Sequence, residues 1–174
     1  NKKDSSDLNP AAYQACAWTR KNLTKTNRNF LDTLPIEKEE HSIYWVHSSP
    51  FEPRKWHYVS TKKSAEQNFD YFEQDICFLG HSHLPCIFEK NKKNKVYLHD
   101  ISKMELDPES RYIINVGSLG QPRDGNPDPV FVFYDSTSHI VEFRRFSYDI
   151  PSTQKKIITS RLPSSLADRL SNGQ

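Results

Sequence analysis

The sequence predicts an α/β protein, sheets covered by helices, and three observations carry that expectation. Helix-patterned and strand-patterned segments alternate through the first half of the chain. Ile76-Cys77-Phe78-Leu79 is an unbroken apolar run of strand length, as expected of a strand buried on both faces. Beyond it the chain is mostly short strands separated by polar turns.

At 174 residues the chain is about one domain long, and area scaling lets roughly 70% of its unfolded surface be buried. Leu, Ile, Val and Phe supply 40 of its residues and the net charge is only +2, which places it among folded rather than disordered chains. The same small charge excludes a general electrostatic affinity for nucleic acid. The three cysteines, Cys16, Cys77 and Cys86, show no C-x-x-C spacing. They read as small buried hydrophobes in a reducing compartment rather than as a disulfide framework. No apolar run approaches the roughly 20 residues that span a bilayer. The expectation is a soluble cytoplasmic protein with no membrane partner.

The elements follow in order. Residues 1–9 form a polar lead-in. Asn9-Pro10 is a helix start, Asn as cap and Pro at the first helical position, opening a helix over 11–21. Thr24 caps a second helix carrying Phe30, Leu31 and Leu34, which Pro35 stops, so that the two form an αα-hairpin. Residues 42–46 are aromatic and β-branched and form a strand running into His47. Ser64 to Phe72 reads as a helix, with Ala65, Phe69 and Phe72 on one face. Cys86–Glu89 and Val96–Leu98 flank a polar turn and make a hairpin. Residues 111–116, 130–135 and 140–146 are three further strands, and 152–162 and 163–170 two closing helices. The whole, 1–174, reads as one domain with a helical lead-in (1–40), a strand-rich region (41–150) and closing helices (151–174).

Two segments concentrate the chemistry. Gly80-His81-Ser82-His83 directly follows the buried strand, where a rigid sheet delivers functional side chains. In an extended segment residues i and i+2 point the same way, about 6.6 Å apart. With metal–nitrogen bonds of about 2.0–2.1 Å, such a pair can serve two metals about 3.5–4 Å apart or chelate one ion. An isolated H-x-H is equally a solvated turn. His47 has a parallel setting at the end of its own strand, so His47, His81 and His83 can converge along one sheet edge. His41, His57, His99 and His139 lack that setting and read as surface histidines. The second segment runs from Asn115 through Gly117, Ser118, Gly120 and Arg123 to Gly125. Its glycines let backbone N–H groups approach an anion and Arg123 can fork onto phosphate oxygens, or it is a turn-rich connection. It is neither a P-loop nor a dinucleotide fingerprint. The basic run 90–95 is a solvated turn.

Together, V-H-S-S-P (46–50), F-L-G-H-S-H-L-P (78–85) and I-I-N-V-G-S-L-G-Q-P-R-D-G-N-P (113–127) resemble the calcineurin-like metallophosphoesterases, in their small prokaryotic branch of predicted phosphoesterases. Residues 8–23 and 27–35 look like the helical segment that follows the family's third motif. The resemblance implies a four-layer α-β-β-α sandwich with a dinuclear metal centre at the strand ends. It implies that His47 and His81 bind one metal and His83 the other, the ions being Mn²⁺ foremost, or Fe, Zn²⁺ or Ni²⁺. Arg123, Asn115 and Ser118 would line the substrate side. The implied reaction is hydrolysis of phosphomono- or phosphodiesters by a metal-activated hydroxide, a phosphatase-type hydrolase for which nucleic acid enters only as a substrate.

The chain departs from the family in two ways. Ser48 stands where the family usually has Gly. The motifs D-x-H, G-D and G-N-H, which supply the bridging carboxylate and a catalytic histidine, do not occur. No catalytic residue is therefore assigned within the chain. The expectation is the C-terminal portion of the domain, lacking the N-terminal strands and partnered by a preceding portion of the same domain or by a chain that carries it. A catalytically inactive binding or scaffold relative and a mononuclear metal-binding module remain as alternatives.

Overall fold

The computed structural model describes residues 8–174, so most of the polar lead-in lies outside the described residues. In chain order the elements are α1 (Pro10–Asn22), α2 (Lys25–Thr33), β1 (Glu37–Glu40), β2 (Ile43–Val46), α3 (Lys62–Asn68), β3 (Ile76–Leu79), β4 (Cys86–Lys90), β5 (Val96–His99), β6 (Lys103–Glu105), β7 (Arg111–Asn115), β8 (Val130–Asp135), β9 (Ile140–Arg145), α4 (Ile150–Thr159) and α5 (Ser165–Asp168). They form two compact units, one of the chain up to Leu34 with Asp149–Asn172, the other of Pro35–Tyr148 with Gly173–Gln174.

The first unit is helical, and its helices begin where short polar side chains can satisfy their first amides. Asn9 Oδ1 accepts from the Ala12 N–H at 2.9 Å, Thr24 Oγ1 from Asn27 at 3.1 Å and Asp149 Oδ1 from Ser152 at 2.9 Å. α1 and α2 contain no buried residue, and Phe30, Leu31 and Leu34 stay exposed. Of the expected closing helices, the second shrinks to the single turn α5 followed by a 3-10 turn at Arg169–Ser171.

The second unit holds both sheets. The larger has the order β1-β2-β3-β7-β4-β5, with β2, β3 and β7 parallel and the other pairings antiparallel. The smaller is antiparallel in the order β6-β9-β8. Successive β3 side chains alternate between two cores. Cys77 and Leu79 join Tyr44, Val46, Phe88 and Ile113 against Ala65, Phe69 and Phe72 of the α3 region. Ile76 and Phe78 join Ile87, Tyr112 and Ile114 against Leu106, Val141, Val132 and Tyr134 from the smaller sheet's side. Every residue of β3 is buried, as its apolar run predicts. The α3 region is further fixed by Arg111, whose guanidinium donates to the carbonyls of Phe69 (2.9 Å), Gln74 (3.2 Å) and Phe72 and lies over the Phe72 ring.

Three further elements differ from expectation. β1, Glu-Lys-Glu-Glu, is fully exposed and strands only because β2 offers it a free ladder, so no apolar alternation marks it. The short β6 is likewise an edge strand beside β9. The expected 64–72 helix starts earlier, because Thr61 and Ser64 form a reciprocal capping box, and it ends at Asn68 in a 3-10 turn.

Candidate functional site

The parallel strands β2, β3 and β7 end side by side, and their continuations stay tied together. The Gly80 N–H donates to the His47 carbonyl at 3.0 Å and the Val116 N–H to the Leu79 carbonyl at 2.8 Å. Such a carboxyl edge of a parallel sheet is where α/β proteins bind ligands. His47 and His81 stand together there, ring centroids 5.3 Å apart at 63°.

His81 and His83 sit on a backbone the sequence does not reveal. Their φ angles are 64° and 62°, left-handed, so the segment is not the extended stretch that would send both side chains the same way. Left-handed non-glycine residues cost about 1–3 kcal/mol each and collect at functional sites. The turn is held by the Ser82 N–H donating to the Gly80 carbonyl at 2.7 Å. Beneath it lies Asn115, fully buried, whose amide donates to the Gly80 carbonyl (3.0 Å) and Ser82 Oγ (2.7 Å) while its Oδ1 accepts from the Gly117 N–H (3.1 Å). Asn115 thus ties together the two loops and lies below their surface.

The hydrogen bonds of the rings define their tautomers. Nε2 of His81 is 3.1 Å from the Trp56 carbonyl and Nδ1 of His83 is 2.6 Å from the Gln121 carbonyl. A carbonyl only accepts, so these nitrogens carry the protons, and in the neutral rings the lone pairs lie on His81 Nδ1 and His83 Nε2. A histidine that gives its other N–H to a carbonyl is arranged as metal-ligating histidines are. Burial lowers the pKa of His47, and burial followed by the neighbouring His47 lowers that of His81, which favours the neutral form of both rings. Among the described residues no group of three or more His, Cys, Asp and Glu is placed to hold a metal ion. His47, His81 and His83 are thus not brought together as one such group.

The Asn115–Gly125 segment packs beside the histidine turn. The Arg123 N–H donates to the His83 carbonyl at 3.2 Å, and its guanidinium donates to Gln121 Oε1 at 2.8 and 3.2 Å. Ser118 Oγ accepts from the Gln121 N–H at 2.9 Å. Gly117 has φ +75°, and a Cβ there would lie 2.3 Å from Val130 Cγ1. Asp124 pairs with Arg145, and Gly125, at φ +80°, completes the turn. Of the remaining histidines, His57 faces Glu52, His99 lies 2.8 Å from Glu89 and His139 faces Tyr134.

Two contributors carry no sequence signal of periodicity or spacing. The Trp56 ring lies 5.3 Å from His47 and 5.5 Å from His81, and Tyr58 stacks on His81 at 4.4 Å and 14°. A cavity of about 940 Å³ also opens between the sheets, lined in part by Ile43, Trp45, Phe78, Val132, Tyr134 and Ser118. A smaller one of about 330 Å³ reaches His47.

Two facing sheets with histidines at parallel strand ends fit the metallophosphoesterase class that the motifs resemble, and solved structures share the fold. A metallophosphoesterase from Sphaerobacter thermophilus superposes with a TM-score of 0.85 at 31% identity, over 100% of this chain and 72% of that one. An uncharacterized protein of Methanocaldococcus jannaschii is 35% identical over 99% of this chain and 70% of its own length. A hypothetical protein of Pyrococcus horikoshii shares the fold, with a TM-score of 0.75 at 17% identity over 97% of this chain and 62% of that one. No family model matches the sequence. The chain belongs to the metallophosphoesterase family. No helix among the described residues is long and apolar enough to cross a membrane.

Proposed function

We propose that the protein is a metal-dependent phosphoesterase, acting on phosphomono- or phosphodiesters in the cytoplasm. The observation that carries this reading is the placing of His47 beside His81 where two parallel strands end, with the Arg123 loop bonded to the histidine turn. His47, His81 and His83 would hold divalent metal, Mn²⁺ foremost, with Fe, Zn²⁺ or Ni²⁺ as other candidates and two ions as the expected number. Bound there, the metal would activate water and stabilise phosphoryl charge. Arg123 would meet a phosphoryl oxygen from the neighbouring loop, with Ser118 beside it. Asn115 would act through the loops it ties, holding the histidine turn in register with the substrate side.

Imidazoles alone lack the carboxylate that a two-metal site shares. The reading therefore includes a complementary portion of the domain, in the same chain or another, that brings the acidic ligands. The apolar cavity between the sheets, β8 at a sheet edge and the exposed Phe30, Leu31 and Leu34 of α2 are surfaces such a portion would cover. The alternative, a scaffold or single-metal relative, rests on the absence of D-x-H, G-D and G-N-H from the sequence.

The test is turnover of bis(p-nitrophenyl) phosphate by the intact protein with added Mn²⁺. The reading expects metal-dependent release of nitrophenol that His81→Ala abolishes. Metal-independent turnover, or none, would count against it.

A further inference from the structure

We propose that Trp56 and Tyr58 form a stacking subsite for the base of a nucleotide, so that the phosphoesterase reading, on which this rests, extends to nucleoside phosphoesters. The segment from Phe51 to Ser60 carries Phe51, Trp56, His57 and Tyr58 between β2 and α3. Its course is irregular: Glu52 has φ 44° and Trp56 φ 61°, on either side of a 3-10 turn at Pro53–Lys55. A bulky residue rarely adopts a left-handed φ, and at Trp56 the result is a carbonyl on His81 and a ring against both His47 and His81.

These rings do not serve the core. Trp56 is 40% and Tyr58 54% exposed, whereas Phe69, on the same side of the sheet, is fully buried. Tyr58 already accepts a flat ring, that of His81, face to face at 4.4 Å, the arrangement by which aromatic side chains take up nucleobases. The polar surroundings suit a phosphate ester of such a base. Arg54 and Lys55 are exposed on the same loop, and the Arg123 N–H is bonded to the His83 carbonyl of the histidine turn. Glu52 is the acidic group of the loop and is turned toward His57. A ligand with an anionic phosphoryl end and a flat aromatic end thus finds cations and histidines for the first and aromatic faces for the second.

The matched pair of AMP and ribose 5-phosphate tests this, because the two differ only in the base. Their equilibrium binding to the intact protein, Trp56→Ala, Tyr58→Ala and Trp56→Phe is compared. Since loss of a ring beside His81 can lower both affinities together, the readout is their ratio. The wild type should bind AMP roughly tenfold more tightly than ribose 5-phosphate, as one stacked base contributes. The ratio should fall toward one in either alanine variant and largely persist in Trp56→Phe. Equal affinities in the wild type, no binding of either ligand, or an AMP preference intact in both alanine variants would overturn the subsite. A base preference in binding without metal-dependent turnover of bis(p-nitrophenyl) phosphate would sink the phosphoesterase reading and leave the subsite standing.

Discussion

Asn115, at the end of β7, holds the Oγ of Ser82, in the turn after β3, at 2.7 Å with both groups buried. This one amide also fills the Gly80 carbonyl and the Gly117 N–H. It fastens the histidine turn to the glycine-rich loop by filling its own hydrogen-bonding capacity with theirs. Replacing it by Ala would strand several buried polar groups, each costing about 1–3 kcal/mol. Asn115→Ala should lose about 2–4 kcal/mol in urea unfolding. Asn115→Asp, which keeps the acceptor but not the donor, should recover little of that.

Glycine is required at one position of the neighbouring loop and merely present at another. Gly117 combines φ +75° with a virtual Cβ inside contact distance of Val130, while a Cβ on Gly120 meets nothing within 4 Å. Gly117→Ala should cost about 2–4 kcal/mol through strain and overpacking. Gly120→Ala should stay within about 0.5 kcal/mol of wild type. Thermal or denaturant midpoints of the two variants, measured side by side, check the contrast.

The Arg111 fork distinguishes Arg from Lys. Its three carbonyl partners, on Phe69, Phe72 and Gln74, need a planar guanidinium, and its face lies on the Phe72 ring 4.5 Å away. Arg111→Lys keeps the charge but satisfies fewer carbonyls, so a loss of about 1–3 kcal/mol is expected. An unchanged unfolding midpoint would refute this role.

The thiols set an alkaline limit. Burial pushes Cys77 well up and Cys86 up to about 12, and burial together with Glu37 raises Tyr44. These groups bind protons more tightly folded than unfolded. Their contribution is therefore complete below about pH 9, the ordinary thiol value, and is lost as pH climbs toward about 12. Urea midpoints should fall between pH 8 and pH 10.5. At pH 8 a thiol reagent should label exposed Cys16 quickly, half-buried Cys86 more slowly and Cys77 only on unfolding.

Much of the fold was legible because burial and local chemistry agree. The four apolar residues of β3 are all buried, β8 spans the segment read as a strand, and Thr24 caps α2 as its side chain allows. β1 was illegible because its exposed charged residues strand only through backbone pairing with β2. At the site, the strand-end positions of His47, His81 and His83 could be read from the apolar runs before them. The left-handed backbone of His81 and His83 could not, since no residue type there demands it. The Trp56 and Tyr58 rings escaped notice for another reason. They reach His81 across 25 and 23 positions of sequence through an irregular loop, where no period marks a face.

Metal content decides most directly whether these histidines form a metal site. The intact protein is loaded with Mn²⁺, freed of unbound ion and assayed for metal per chain. About two ions are expected in the wild type, as in a two-metal phosphoesterase. Content should drop in His81→Ala and fall away when His47, His81 and His83 are all replaced by alanine. A wild type that retains no metal, or a triple variant that retains as much as the wild type, would contradict the account.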